Sequence, residues 1–256
     1  MATNLVTRAR VDALGVVAHA VLIGVAASST VLERVPVLLL TIMSCITAAF
    51  HIVYVFAAAK HKTYRIGWFR CGRTERNTLK WLEYGITATI ASIAIAFSGD
   101  SPPHWSIVFF ITAVAITEQT TGFTWDSIKN TDTAAEASVN LVGQDEGREM
   151  AAGLRAFYTT FLCQIAEFCV LYELGGKNLV AFIFYVVGWT SFGVWAWLRD
   201  PTYTGALRWA TGVDITIGRD NSRIEDYETG YSILSTFAKV SVFAATLAYE
   251  LGQAAE

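Results

Sequence analysis

The sequence predicts an all-α membrane protein: a single domain, residues 1–256, folded as a bundle of seven transmembrane helices. Three observations predict it. Charged residues make up 16% of the chain and hydrophobic residues 54%, whereas soluble domains carry about 25% charged residues. Seven windows stay apolar for the roughly 20 residues a helix needs to cross a bilayer. Finally, the basic residues are segregated onto alternate loops, as membrane topology requires.

The seven windows are residues 11–32, 36–59, 77–98, 104–125, 151–173, 178–198 and 230–251. The first is too long, and flanked wrongly, for a cleaved signal peptide, so it reads as a retained helix. A loop of only a few residues around Glu33 and Arg34 joins it to the second. The loop between the second and third windows carries seven basic residues from Lys60 to Lys80. It reads as a topology anchor against anionic headgroups. It is too short and too close to the membrane for nucleic-acid binding.

The fourth window is the most polar, with Thr112, Thr117, Glu118, Gln119, Thr120 and Thr121. Backbone and side-chain polar groups in lipid need partners, so this side is expected to face protein. The acidic, Ala-rich segment 132–149 is expected to prolong a helix past the membrane. The longest loop, 199–229, includes 211–218, which reads as a short surface ribbon. Four scattered cysteines, Cys45, Cys71, Cys163 and Cys169, have no metal-ligand spacing. Three are expected to be buried thiols and Cys71 a reduced loop thiol.

Orientation follows from charge. The chain has 19 Lys and Arg residues. Setting Lys239 aside, all but Arg34 and Lys177 fall at the N-terminus or on the loops after the second, fourth and sixth windows. The positive-inside rule then places the N-terminus in the cytoplasm and the C-terminus outside. The net charge of −3 carries no information, because the signs are segregated.

Lys239 stands near the midpoint of the last apolar window. A charge at that depth costs roughly 2.5–3.5 kcal/mol on insertion scales, so it marks function by default. Counting from the cytoplasmic ends, Lys239, Glu83, His19, His51 and Glu118 all fall within a layer roughly 5 Å thick, at about 1.5 Å of rise per residue. Five ionisable side chains from five helices at one level predict an internal polar site. Taken singly, each histidine also reads as a neutral core imidazole, and Lys239 as a free amine paired with Glu83. The sharper reading is an imine: lysine condenses with aldehydes, and a protonated imine beside one carboxylate is a neutral pair, which a low-dielectric interior tolerates. Aromatic residues are dense around this layer. Trp189 and Phe192, spaced i and i+3 in the sixth window, are the best candidates to wall a pocket for a flat polyene.

These residues resemble a known family. Seven helices with a mid-helix lysine in the last are similar to retinal-binding rhodopsins, and the details resemble the heliorhodopsins. Trp81, Glu83 and Tyr84, followed by Thr87 and Thr89, resemble that family's Trp-x-Glu-Tyr motif in the third helix. Leu234, Ser235, Ala238 and Lys239 resemble its Leu-Ser-x-x-Ala-Lys motif in the seventh. His19 and His51 fall where the family places an internal histidine pair, and the inverted orientation is its hallmark. Outward proton pumps are less similar: they carry an aspartate where this chain has Ser235, and an arginine in the third helix where this chain has none. The chain departs from the family in its short first loop, in a sixth helix without an Asn-rich stretch, and at Glu118 and Glu167, where largely neutral residues are the rule.

The resemblance implies all-trans retinal bound covalently to Lys239, with Glu83 as counterion. Ser235, four residues earlier on the same helix face, is expected to reach the imine or the counterion. Tyr84, Thr87, Trp189 and Phe192 are expected to line the retinal pocket. It further implies a rhodopsin-like, multi-pass protein of the cell membrane, a homodimer, and a photoreceptor rather than an enzyme, with no signalling partner named by the sequence. Histidines titrate near neutral pH, which suits His19 and His51 to holding a proton. The alternative is a light-gated proton channel or transporter, with Glu118 and Glu167 extending a proton path. By depth counting, Glu167 falls in the outer half of its helix and Glu118 in the inner half. A third reading, a metal hydrolase, is weak: zinc sites want three or four protein ligands, and only two histidines lie in the apolar windows.

Overall fold

The computed structural model describes residues 2–61, 79–99, 101–135, 146–199 and 224–255. All regular structure among them is helical. Seven α-helices follow in order: α1 (Ala2–Ala27), α2 (Val35–His61), α3 (Leu79–Ala96), α4 (Trp105–Ala135), α5 (Glu146–Gly175), α6 (Leu179–Arg199) and α7 (Ile224–Ala255). A single 3₁₀ turn, Gly176–Asn178, leads from α5 into α6. Asn178 ends that turn as the N-cap of α6, its Oδ1 accepting from the Ala181 amide at 3.2 Å. This satisfies one of the donors a helix start leaves unpaired.

Among the described residues four stretches are long and apolar enough to cross a membrane: Ala9–Ala27, Val35–Phe56, Trp105–Thr124 and Thr229–Ala255. Large apolar side chains such as Leu14, Val21, Phe56 and Phe109 face outward, while Asp12, His19, His51, Glu83 and Lys239 are buried. That inversion of the usual soluble pattern fits a lipid surround. The acidic segment 132–149 is helical over part of its length: α4 runs on to Ala135 and α5 begins at Glu146, while 136–145 lie outside the described residues. Cys71, the 211–218 ribbon and most of the basic loop before α3 also lie outside the described residues.

Neighbours in sequence pack as neighbours in space, and α7 returns to α1 to close the ring. The core that results joins Leu40 and Met43 of α2, Ala91 and Ile95 of α3, Tyr185 and Trp189 of α6, and Val242 and Phe243 of α7. At the α1–α2 corner Arg34 donates to Glu250 Oε2 at 2.7 Å and to the Glu250 carbonyl at 3.2 Å. This ties that corner to the end of α7.

Two expectations need correction. The polar face of α4 does not turn wholly inward. Glu118 is buried, but Thr117, Thr120 and Thr124 face outward. Their hydroxyls donate to the carbonyls four residues earlier at 2.7–2.8 Å, so the helix itself supplies the partner that lipid lacks. The cysteines are not buried either: Cys45 and Cys169 are exposed and Cys163 is intermediate. A weakly polar thiol sits as comfortably on an apolar outer face as in a core.

Gly188 sets the distance between α6 and α7. A Cβ built there would lie 2.5 Å from the Ala238 Cβ and 3.1 Å from its Cα. Ala238 immediately precedes Lys239, so this contact also fixes where the lysine leaves its helix. Gly188→Ala is expected to destabilise the fold by about 1–3 kcal/mol, the usual cost of overpacking, read as a lowered thermal midpoint of the purified protein.

Candidate functional site

The site is built on α3 and α7, with α2 in support. Glu83 lies on the buried face of α3, and Lys239 on the buried face of α7. Lys239 Nζ donates to Glu83 Oε1 at 2.6 Å, with both side chains only 2% exposed. The second carboxylate oxygen, Oε2, accepts from Tyr54 Oη at 2.9 Å. Each oxygen of Glu83 therefore has a donor, and each donor comes from a different helix. Lys239 Nζ also lies 5.1 Å from the centroid of the Tyr84 ring, within the range of a cation–π contact.

Lys239 lines a partly open cavity. Tyr84 and Thr87 of α3, Trp189 and Phe192 of α6, and Ser235 of α7 line it together with the lysine. Glu118, Gly122, Phe161 and Gln164 on α4 and α5 line it as well. Its walls are aromatic and mutually braced. Trp189 stacks on Tyr185 with centroids 4.5 Å apart, Tyr84 meets Phe192 at 5.4 Å, and Phe192 stacks on Tyr231 at 5.8 Å. A buried primary amine beside a carboxylate, on the wall of an aromatic cavity, is a group that can condense with an aldehyde.

The structure separates the other expected residues into two groups. His19 and His51 lie between α1, α2 and α7, with ring centroids 6.3 Å apart. His19 Nδ1 is 3.2 Å from Ser44 Oγ, and His51 Nδ1 is 2.9 Å from Asp12 Oδ1. The His51 ring meets Tyr54 edge-on at 5.9 Å, which links this group to Glu83. Ser235 is buried and lines the cavity, but its Oγ makes no hydrogen bond to protein, so it touches neither Lys239 nor Glu83 in that sense. Thr87 spends its hydroxyl on the Glu83 carbonyl at 2.8 Å.

Glu118 and Glu167 form the second group, against α3 and α6. Depth counting separates them; the structure puts them side by side. The count fails because α4 and α5 extend past the apolar windows, so the cytoplasmic ends used as zero are misplaced. Glu167 also has Ser92 and Tyr185 as neighbours, and those two hydroxyls bond each other at 2.6 Å. Neither Glu167 oxygen, nor Glu118 Oε1, has a hydrogen bond of ordinary geometry.

Sequence reasoning missed three residues. Asp12 is completely buried, yet it sits at the edge of the first apolar window and reads as a boundary residue. Its spacing of seven from His19, two helical turns, was the available signal. Tyr54 was hidden among many aromatics. Lys80, counted with the basic loop, is buried with its Nζ 4.7 Å from the Tyr231 ring centroid. Among the described residues no group of three or more His, Cys, Asp or Glu side chains is placed to hold a metal ion. A scan against protein-family models and a search of curated proteins both find no match to this chain.

Removing one partner of a buried ion pair leaves the other charge uncompensated, at a cost of about 3–5 kcal/mol. Lys239→Met and Glu83→Gln are each expected to lose stability on that scale in ligand-free protein. The double variant is expected to recover most of it. Thermal unfolding of the four proteins measures the coupling, and additive losses would show that the pair is not energetically linked.

Proposed function

We propose that this protein is a light-absorbing photoreceptor of the heliorhodopsin type. In this reading all-trans retinal is carried on Lys239 as a protonated Schiff base, with Glu83 as counterion. The seven helices span the cell membrane with the N-terminus in the cytoplasm, and the protein pairs as a homodimer. The observation that carries the reading is the 2.6 Å contact between Lys239 Nζ and Glu83 Oε1 beside an aromatic cavity that the lysine lines.

Retinal would supply the visible absorption and the light-driven isomerisation. The remaining work falls to the chain. Glu83 balances the positive charge at Nζ, and Tyr54 holds that carboxylate in place through Oε2. Trp189, Phe192 and Tyr84 confine a flat ligand and exclude water from the linkage. Ser235, buried beside Lys239 with a free hydroxyl, is available to a rearranged linkage. The histidines between α1 and α2 offer ring nitrogens to a proton leaving Nζ.

All-trans retinal added to the purified protein is expected to give a visible absorption band, and Lys239→Ala to abolish it. A protein that stays colourless would end this reading.

The contact between Glu118 and Glu167 favours a second reading, a light-gated proton conductance. Glu118 lines the cavity and Glu167 lies directly behind it, so a proton could pass from the chromophore level into α5. Under voltage clamp, illumination would then evoke a current. Glu167→Gln is expected to abolish that current while leaving the absorption band intact, and illumination without current would leave the sensor as the sole reading.

A further inference from the structure

The cavity that Lys239 lines is not uniformly apolar. Trp189, Phe192 and Phe161 give it aromatic walls, but Glu118 of α4 and Thr160 and Gln164 of α5 line it too. These polar groups belong to a different side of the bundle from the lysine. The helix α7 packs mainly against α1, α2 and α6, whereas α4 packs mainly against α3 and α5. Helices in direct contact lie about 8–10 Å apart, so α4 and α7 are separated by more than that. Both nonetheless meet the cavity near the level of Nζ. An added Cβ at Gly85 would lie 3.8 Å from Gln119, the residue after Glu118. Gly85 follows Tyr84, whose ring centroid is 5.1 Å from Lys239 Nζ. A ligand joined to Nζ that crosses the cavity therefore runs out among residues of α4 and α5.

Glu118 is the group there with an unmet need. It is 2% exposed, and its Oε1 has no hydrogen-bond partner in the protein. Thr160 is satisfied by contrast: its hydroxyl donates to the Ala156 carbonyl at 2.9 Å and lies 2.6 Å from Thr121 Oγ1. A carboxyl group keeps lone pairs for an incoming hydroxyl whether it is ionised or protonated. A hydrocarbon end placed against Glu118 leaves that acceptor unpaired in a dry site, which is costly. A hydroxyl donates to it, and accepts in turn from an amide such as that of Gln164. Sites built to bond a ligand hydroxyl reject the analogue that lacks it, because their own polar groups are then stranded.

We infer that the cavity selects a polyene aldehyde with a hydroxyl at the end remote from the aldehyde, and that Glu118 is the specificity residue that reads this hydroxyl. The inference rests on the Lys239 linkage proposed above and adds a second anchor to it. The linkage itself is unchanged: the Nζ lone pair adds to the aldehyde carbon, C=N replaces C=O, and the aldehyde oxygen leaves as water with two hydrogens from the amine. The hydroxyl takes no part in that step. It decides which aldehyde occupies the cavity.

Competition between two aldehydes tests this. Full-length protein in lipid is equilibrated with equal amounts of all-trans retinal and all-trans 3-hydroxyretinal. The bound aldehyde is then released as its oxime and identified by chromatography, because the hydroxyl lies outside the conjugated chain and colour does not report the choice. The hydroxylated aldehyde is expected to exceed retinal about tenfold or more, the scale of one hydrogen bond to a carboxyl group. Glu118→Leu is expected to reverse the order, and Glu118→Gln, which keeps an acceptor and a donor, to retain it. A loss of folding lowers uptake of both aldehydes and cannot reverse their order. Equal occupancy in the unsubstituted protein would overturn the inference whether or not either variant folds, and so would a preference that survives Glu118→Leu. Both of those outcomes would leave the photoreceptor reading standing. Uptake of neither aldehyde would end that reading, and this inference with it.

Discussion

A lysine and a glutamate that share a low-dielectric interior constrain everything packed around them. Moving either charge out of water costs several kcal/mol even after relaxation, and only close pairing with further hydrogen bonds offsets it. Here Lys239 takes one oxygen of Glu83 and Tyr54 takes the other. The three residues come from α7, α3 and α2, so satisfying one carboxylate fixes three helices relative to one another. The close approach of α6 through Gly188 then meets α7 at Ala238, the residue before the lysine. The aromatic wall of α6 follows from that approach, since Trp189 is one residue from the contact point.

Apart from Asn178 Nδ2 and Thr246 Oγ1, the unpaired polar side-chain atoms among the described residues fall into two groups. His19 Nε2, Thr47 Oγ1, His51 Nε2, Ser235 Oγ and Thr236 Oγ1 come from α1, α2 and α7, whereas the orphaned oxygens of Glu118 and Glu167 come from α4 and α5. Buried polar atoms without partners are rare and call for a reason. The two groups flank the Lys239 cavity from different sides. Each also reaches it through an aromatic residue. Tyr54 stands between His51 and Glu83, while the ring of Tyr185 stacks on Trp189 and its hydroxyl bonds Ser92 beside Glu167. The lysine is thus joined by contacts to a histidine on one side and to an acid pair on the other.

What the sequence made legible follows from what helices encode. Periodicity shows which residues share a face, and the cost of charge in lipid singles out Lys239 and Glu83 without any need for contacts. Helical character and the apolar stretches are read from composition and length. Relative height between helices is a different matter, because it depends on where each helix begins. The apolar windows of α4 and α5 end before the helices do, so counting residues placed Glu118 and Glu167 at different levels. Azimuth was also hidden: Thr117 and Thr120 look as though they need protein partners until their own helix carbonyls are counted. Asp12 shows the reverse case, a signal present and passed over. Its register with Gly15 and His19 is the same as that of Ser44, Thr47 and His51, and matching registers on adjacent helices predict convergence.

The donor count at Nζ separates the two chemical states open to Lys239. A free ammonium carries three N–H donors and no acceptor. Nζ has a single hydrogen bond, to Glu83 Oε1, with the Tyr84 ring face as its other neighbour of note. A buried ammonium at this position has two further donors to place. A protonated imine has one N–H donor, and the single bond to Glu83 satisfies it completely. The side chain lines an aromatic cavity that residues of α4 and α5 line as well. Under the proposed function the imine is the state that Glu83 alone satisfies, and the free ammonium is the state that needs further partners.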